Sequence, residues 1–509
     1  MRNTLAVILP TGLSLGGVTT WARGATRAVE SRGGRGVLII GPGTDAALRD
    51  VSGEFDGAPA IVRLPGPIVG AGRRIDPETV EAACDGLARV LDDADRVVLA
   101  PTISGDAYGL AIEIAEAMGE RVRTLGVLHS EYPHDLRVME RYAPGLSAIA
   151  GVGERGAALL RERLPGREIL RIPHGVECPG APPQREAIAG RAVRLVYAGR
   201  LERDVKRVLA CVWLADELHA RGIAHEITII GDGPARAEVE REAHSRASVR
   251  LLGAMSSDGV REHVARADAL LLPSRHEALG YARLEAAAMG CVPIVTDTGS
   301  GHSEGIEDMR SGVLCPSHRD DDERAAAAQL AGGIVRLLQG NTQSIARGAY
   351  EAVRERFSLA GHADALHRAL GACFEAPMVV WDHRVPTAFD FFDDVMGSGS
   401  VPSDACVRAR RVVERIGERP ILVHGAGRHT LAIWDALTSG PARVVAIVDD
   451  DPARWGGDLR GVPIIGPDDA IRTDARDLVL SSWLHEHDLL RRCAPLAAHG
   501  VRIHTLYGT

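Results

Sequence analysis

Several signals are missing from this 509-residue chain, and each absence removes a class of protein. The eight cysteines (Cys84, Cys178, Cys211, Cys291, Cys315, Cys373, Cys406 and Cys493) are scattered, and none stands in a Cys-x-x-Cys pair. That argues against a zinc site and against a disulfide framework, so a reducing cytoplasm is the simplest compartment. No stretch approaches the roughly 18 uninterrupted apolar residues of a membrane span. The run Met1-Arg-Asn-Thr-Leu-Ala-Val-Ile-Leu-Pro10 is too short for a signal-peptide core and reads as a first strand. Positive charge is not in excess: 59 Lys plus Arg against 68 Asp plus Glu leave a net charge of −9. That sign does not suit non-specific coating of nucleic acid, although a local basic groove for phosphates stays open. Short repeats and low-complexity tracts are also lacking.

What is present is an alternation. Hydrophobic residues make up 45% and charged residues 25% of the chain, the profile of a soluble globular protein of two to four domains. Short apolar runs alternate with amphipathic stretches of roughly ten to sixteen residues, the pattern of βαβ units on a parallel sheet. The pattern forms three blocks. In the first, strands are expected at 5–9, 37–40, 61–64, 97–99, 124–128, 148–151 and 169–172, with helices near 18–31, 76–91, 106–118 and 154–164. A Pro/Gly-rich link at 173–183 follows. In the second, strands are expected at 195–198, 226–230, 249–252, 269–272, 292–295 and 313–315, closed by helices near 321–338 and 342–372. The third begins near 378 and has its own strand, glycine turn and helix at 421–438. The expected domains are 1–175, 190–358 and 378–509, with a closing helix at about 359–372 free to pack back on the first.

Ligands of open α/β sheets bind outside the carboxyl ends of the strands. The segment His276-Glu277-Ala278-Leu279-Gly280-Tyr281-Ala282-Arg283-Leu284-Glu285 follows the strand at 269–272. It places Glu277 in a loop and Glu285 in the next helix. A carboxylate accepts two hydrogen bonds at once, which suits a ligand rich in hydroxyls. Gly280 lets a backbone approach closely. Arg200, after the strand at 195–198, and Lys206, expected where the chain enters a helix, suit a diphosphate. Gly231-Asp-Gly-Pro234 ends the next strand with a tight turn. In the first block, Gly16 and Gly17 follow strand one in a loop whose N–H groups can cradle an oxyanion. His129 directly follows the strand at 124–128. Taken singly, each has a plain alternative: a solvated carboxylate, a surface lysine, a turn or a structural histidine. His174 and His276 read as structural or surface residues.

The spacing Glu277-x7-Glu285, followed by Ala286-Ala-Ala-Met-Gly290-Cys-Val-Pro293, resembles the signature of family 4 glycosyltransferases, retaining enzymes of the GT-B fold. The Gly16-Gly17 loop, His129, Ile172-Pro-His-Gly-Val176, Gly199-Arg200-Leu201, Lys206 and Gly231-Asp-Gly-Pro234 extend the resemblance in order over roughly residues 4–372. It implies an α/β fold: a GT-B architecture of two Rossmann-like domains facing a cleft, plus a third, C-terminal Rossmann-like domain. It implies a nucleotide-diphosphate-sugar donor, UDP-sugar ahead of GDP-sugar, used in glycan or glycoconjugate biosynthesis. By the same resemblance Arg200 and Lys206 bind the donor diphosphate, Glu285 the ribose hydroxyls and Glu277 hydroxyls of the transferred sugar. Gly16 and Gly17 approach the donor from the first domain, and His129 lines the reaction centre. Leu252-Gly253-Ala254-Met255 meets the base mostly through backbone, and Leu279 and Gly280 complete the donor site. No metal or cofactor is required, because Arg200 and Lys206 take the metal's place. Two departures stand out. The Arg-to-Lys gap is longer by one, with Arg207 where glycine commonly follows, and Ala278 stands where glycine is usual. The acceptor is not written in the sequence. A glycan, a lipid-linked glycan, a small molecule and a protein stay open, to be chosen by loops such as 43–58, 65–75 and 101–107.

In the third block, Ile421-Leu-Val-His424-Gly425-Ala426-Gly427-Arg428-His429-Thr430, with Asp449 after the next strand, roughly fits a dinucleotide fingerprint whose third glycine is Thr430. The block is similar to Rossmann-like modules attached to sugar- and methyl-modifying enzymes. Gly425, Gly427 and Asp449 are candidate contacts for a small ligand; packing or assembly, such as a homo-oligomer, is the alternative. Arg155, Arg161, Arg163 and Arg167 form a basic stretch, ordinarily a solvated face. Its other reading is peripheral contact with anionic lipid at the inner face of a membrane, or with a phosphorylated acceptor. The competing functions are a nucleotide-sugar isomerase or epimerase, or a phosphorylase, on the same architecture, and a non-catalytic nucleotide-binding scaffold subunit. No pyridoxal lysine stands in its motif context, and the joint presence of Arg200, Lys206, Glu277 and Glu285 favours the transferase.

Overall fold

Strands buried on both faces of a parallel sheet read as nearly continuous apolar runs, and the runs of this chain assemble into three sheets. The structure, a computed structural model, describes residues 2–10, 12–13, 16–42, 60–66, 68–69, 74–92, 95–102, 105–318, 321–377, 381–382, 387–388, 405–450, 454–481 and 486–506. The chain forms two compact units, Met1–Phe389 and Asp390–Thr509.

The first unit holds two sheets. The first is built from β1 (Asn3–Leu9), α1 (Gly17–Glu30), β2 (Arg35–Ile40), β3 (Ala60–Arg63), α2 (Pro77–Val90), β4 (Arg96–Pro101), α3 (Gly105–Met118), β5 (Val122–Leu128), α4 (Pro133–Tyr142), β6 (Ala148–Gly151), α5 (Glu154–Arg163) and β7 (Ile169–Arg171). The second is built from β8 (Val193–Ala198), α6 (Leu209–Ala220), β9 (His225–Ile230), α7 (Arg236–Ala243), β10 (Val249–Gly253), α8 (Ser257–Arg266), β11 (Ala269–Leu272), α9 (Tyr281–Ala288), β12 (Val292–Asp297), β13 (Val313–Pro316), α10 (Glu323–Gln339), α11 (Thr342–Arg356) and α12 (Leu359–Glu375). The strand orders are β3-β2-β1-β4-β5-β6-β7 and β10-β9-β8-β11-β12-β13, all pairs parallel. Each is a doubly wound sheet whose order reverses next to its first strand, at β1/β4 and at β8/β11. A crevice for ligands opens outside the carboxyl ends there.

The structure departs from the sequence reading in several places. A helix, α4, follows the His129 loop. Pro133 starts it, and Leu136, Val138, Met139 and Tyr142 bury one side of it. The helix expected across 342–372 is two helices. It breaks at Phe357, and Ser358 caps α12 by accepting from Gly361 N at 3.3 Å. At the break Val176 N donates to Phe357 O and Leu359 N to Val176 O, so the two crossings between the sheets lie side by side. Beyond it, α12 sends Leu366, Ala369, Leu370 and Cys373 into the core of the first sheet. The third domain does not begin at 378. Trp381 is buried and stacks on Tyr142, and Tyr142 Oη donates to Thr387 O at 2.6 Å, so this segment packs on the first sheet's helices.

The second unit contains α13 (Ala405–Ile416), β14 (Pro420–His424), α14 (Arg428–Ala432), α15 (Trp434–Thr438), β15 (Arg443–Val448), β16 (Asp458–Leu459), β17 (Val462–Ile465), α16 (Pro467–Ala470), β18 (Asp477–Leu480), α17 (Glu486–Arg492), α18 (Ala494–Ala498) and β19 (Arg502–His504). Its order is β16-β17-β15-β14-β18-β19, parallel except for the β16–β17 hairpin. Buried Asp477 accepts from Arg419, Arg502 and His504 at the amino ends of the strands.

Candidate active site

At the β8/β11 crevice, the two loops that follow these strands meet through one ion pair. Lys206, after β8, donates to the Glu277 carboxylate, after β11. Ser274 Oγ donates to the same oxygen at 3.0 Å. Burial alone would raise the Glu277 carboxyl; the Lys206 ammonium and its hydrogen bond more than offset that and hold it below its ordinary value. Arg200, on the same segment after β8, is about half exposed, with Glu202 at 4.0 Å. The adjoining turn is laid on this segment, with Leu201 N donating to Asp232 O at 2.9 Å.

Lys206 does not start a helix: α6 begins at Leu209, and residues between them form a turn. Arg207 explains the turn. Its φ is 47°, in the left-handed region where glycine is at ease. Its side chain is fully buried, donating to Pro273 O at 2.5 Å, Thr296 Oγ1 at 3.0 Å and Asp321 O at 3.2 Å. The guanidinium ties the Lys206 turn to the loop that carries Glu277. A compositional signal for Lys206 was also present and unused: it is the only lysine among the 59 basic residues of the chain. Every other cationic side chain of that set is arginine, so the ammonium at 206 stands out.

Gly280 caps α9 with φ 75°; a Cβ there would have room, so the backbone conformation is what asks for glycine. Glu285 lies on an exposed part of α9. Leu279 is a core residue: its side chain is fully buried against Val176, Leu284 and Phe357, leaving only its backbone for a ligand. Gly253 ends β10 with φ 75° and Met255 is half-buried beyond it, while Leu252 is exposed.

From the first sheet, Gly16 caps α1, and a Cβ on Gly17 would lie 3.7 Å from Tyr281 at the start of α9. The glycine loop thus faces α9 of the second sheet across the cleft. The His129 ring makes an edge contact with Trp21 at 4.5 Å, and His174 stacks on Tyr281 at 4.1 Å. His129 Nε2 and both ring nitrogens of His174 are enclosed without a hydrogen bond. Burial, with His362 nearby, pushes His129 down to about 3, so its imidazole is neutral at physiological pH. Two first-sheet residues that sequence reasoning missed also reach loops of the second sheet. Tyr132 lies 5.4 Å from the His276 ring, and Glu131 accepts from Gly301 N at 3.0 Å.

Of the loops expected to choose the acceptor, 43–58 lies outside the described residues, and 65–75 and 101–107 are described in part. The basic stretch is engaged within the protein. Arg155 pairs with Glu131, Arg161 with Glu154 and Arg163 with Glu140, while Arg167 donates to Ala143 O and Leu146 O. Among the described residues no helix is long and apolar enough to cross a membrane. A hollow of about 590 Å³, lined by Ala187, Arg191, Ile223, Leu338 and Asn341, lies at the amino ends of β8 and β9, away from these loops.

In the second unit, Gly425 (φ 102°) and Gly427 follow β14, and Ala426 N donates to Asp449 Oδ2 at 2.7 Å. Thr430, at the third glycine position, bonds Ser481 Oγ at 2.8 Å. The helix after the loop is a single turn of five residues, so it offers little of the dipole a pyrophosphate would meet in a dinucleotide fold.

Comparison with known proteins places this geometry. Residues 192–339 match the family model for glycosyl transferases group 1. The chain is 32% identical over 139 residues to an alpha-D-kanosaminyltransferase of Streptomyces kanamyceticus, covering 27% of this chain and 36% of that protein. It is 30% identical over 195 residues to a glycogen synthase of Mycobacterium tuberculosis, covering 38% and 42%. The chain therefore matches well under half the length of these two curated relatives. A glycosyltransferase from Rickettsia africae superposes with TM-score 0.56 at 15% identity, over 74% of this chain and 99% of that one. The Anabaena protein HepE, solved with UDP-glucose, superposes with TM-score 0.56 at 13% identity, over 72% and 99%. The fold of the first unit is that of the GT-B glycosyltransferases, and its second sheet belongs to the segment that matches glycosyl transferases group 1.

Proposed function

We propose that the protein is a retaining, metal-independent glycosyltransferase that moves a sugar from a nucleotide diphosphate to an acceptor in glycan or glycoconjugate synthesis. The observation that carries this reading is the Lys206–Glu277 pair at the β8/β11 crevice. It holds a cation suited to a diphosphate within one hydrogen bond of a carboxylate suited to sugar hydroxyls. Arg200 supplies a second cation to the diphosphate. Glu285 takes the ribose, and the backbone at Gly253 and Met255 faces the base. UDP is favoured because HepE, of similar fold, was solved with UDP-glucose.

In this mechanism the acceptor hydroxyl attacks the anomeric carbon on the face from which the diphosphate leaves. Lys206 and Arg200 stabilise the charge that develops on the departing phosphate, and that phosphate oxygen takes the hydroxyl proton. Glu277 orients the transferred sugar, while neutral His129 offers it a hydrogen bond without adding charge. The Gly425–Gly427 loop and Asp449 remain a proposed small-ligand site of the second unit. The test is release of nucleoside diphosphate from a panel of UDP-, GDP- and ADP-sugars by wild type and Glu277→Gln. Release by wild type that is lost in the variant supports the reading. Equal release by both removes Glu277 from it.

A further inference from the structure

We propose that Glu131 is a positioning residue for Glu277: the first sheet sets the donor-side carboxylate through the turn at Ser300–Glu304. The inference rests on the reading of Glu277 as a ligand of the transferred sugar.

Glu131 stands two residues beyond His129, at the carboxyl edge of β5. Its side chain is 3% exposed. One carboxylate oxygen accepts from Arg155 Nε at 3.0 Å and the other from Gly301 N at 3.0 Å, 170 residues further on. The first of these bonds steers the carboxylate; the second crosses the cleft. Gly301 has no room for a side chain, because a Cβ there would lie 1.9 Å from Ala278 O. The turn is therefore laid directly against the backbone that follows Glu277.

Ser300 completes the path. Its Oγ accepts from Glu277 N at 2.8 Å and donates to Glu277 O at 2.8 Å, so a single hydroxyl holds both backbone polar groups of the carboxylate-bearing residue. His302 lies behind that hydroxyl. Its Nε2 lies 2.5 Å from Thr296 O, and a carbonyl only accepts, so this nitrogen carries the proton. Its Nδ1, 3.2 Å from Ser300 Oγ, is then an acceptor that competes with Glu277 O for the hydroxyl's one proton. The far end of the turn is held from the first sheet as well. Glu304 accepts from Glu154 N at 2.6 Å and from Arg171 at 2.5 Å. The turn is thus tied to the first sheet at both ends, by the Glu131 carboxylate and by its own Glu304, and it holds Glu277. If Glu131 only stapled the two sheets, its loss would loosen the turn and lower stability without reaching Glu277.

The test is hydrogen exchange of the full chain, read by mass spectrometry, in wild type, Glu131→Ala and Glu131→Gln. It needs no ligand. Positioning predicts that Glu131→Ala speeds exchange over 274–281 by about tenfold, the loss of one hydrogen bond to a charged group. The strand at 269–272 keeps its protection. Glu131→Gln, which keeps an oxygen for Gly301 N–H, restores most of the protection at 274–281. Should Glu131→Ala fail to fold, Arg155→Ala leaves the carboxylate in place but unsteered, and a smaller rise over 274–281 is expected. Faster exchange confined to 300–304 overturns the positioning role and leaves the donor-site reading standing. The second arm measures binding of UDP and UDP-glucose to wild type and Glu131→Ala, with GDP-mannose in parallel. Weaker binding of the nucleotide sugar with unchanged binding of the parent nucleotide supports the proposal. No binding of any of them to wild type overturns the donor reading, and the proposal with it.

Discussion

Replacing Arg207 separates the two things it does. Arg207→Ala removes five donated hydrogen bonds, to Pro273 O, Ser274 O, Thr296 Oγ1, Ser317 Oγ and Asp321 O, and leaves those acceptors in a largely closed space. A hydrogen bond from a charged group contributes about 1.5–3 kcal/mol. Burying the guanidinium works against this; burial, with Arg275 nearby, pushes it down to about 10. A net loss of about 3 kcal/mol follows. Arg207→Gly loses the same bonds but relieves a backbone at φ 47°, which costs a residue with a Cβ about 1 kcal/mol. Glycine should therefore be the milder change, by about 2–4 °C in melting temperature against a total fall of about 10 °C for alanine. Scanning calorimetry of the full chain reads both. A melt within about 1 °C of wild type for Arg207→Ala would refute the buried tie. A lower melt for glycine than for alanine would refute the role of backbone strain.

Other expectations follow from the same geometry. Glu277→Gln should lower transfer by about a hundredfold or more while keeping binding of the bare nucleotide diphosphate, because the amide cannot replace the charge facing Lys206; equal loss of nucleotide binding would show a folding defect. Acid should weaken the first unit early. His129 is pushed down to about 3 and His302 to about 4, and His174 and His362 are also lowered, burial being the main cause for each. They stay neutral in the fold while charging in the unfolded chain, so stability falls as pH drops from about 6.5 to about 4. A melting temperature flat or rising over that range contradicts this. Asp477→Asn should destabilise the second unit by about 3 kcal/mol at neutral pH. The Asp477 carboxyl is held far below its ordinary value, first by its hydrogen bond from Arg502 and then by those from His504 and Arg419. Its contribution is present above the usual carboxyl value and lost as pH falls below it. A neutral effect, read by the same calorimetry, would show the cluster to be idle.

The first two sheets were legible because their central strands are buried on both faces, so Leu5–Leu9 and Ala269–Leu272 read as unbroken apolar runs. Glu277 and Glu285 were legible by spacing, and the paired loops after β8 and β11 followed from where such sheets bind ligands. The helix at Pro133–Tyr142 was not, since its surface is mostly charged and its apolar side is short. The conformation of Arg207 was hidden for a different reason. A positive φ in an arginine is imposed by bonds to residues about seventy and a hundred positions away, which no local pattern reports. The same holds for Glu131, whose partner Gly301 belongs to the other sheet. The burial of the Leu279 side chain was not legible, because a motif gives a position along the chain and not the side on which its side chain falls.

The central claim is that Lys206 meets the donor diphosphate, and the composition of the chain allows it to be watched alone. Reductive methylation with a carbon-13 label reaches one side chain, Lys206, and the chain's amino terminus. UDP, GDP and ADP are then titrated while the Lys206 resonance is followed, with calorimetry of wild type and Lys206→Ala in parallel. One of these nucleotides is expected to move the Lys206 signal and to bind at least about tenfold more weakly to the variant. A nucleotide that binds both proteins equally and leaves that signal unmoved would contradict it.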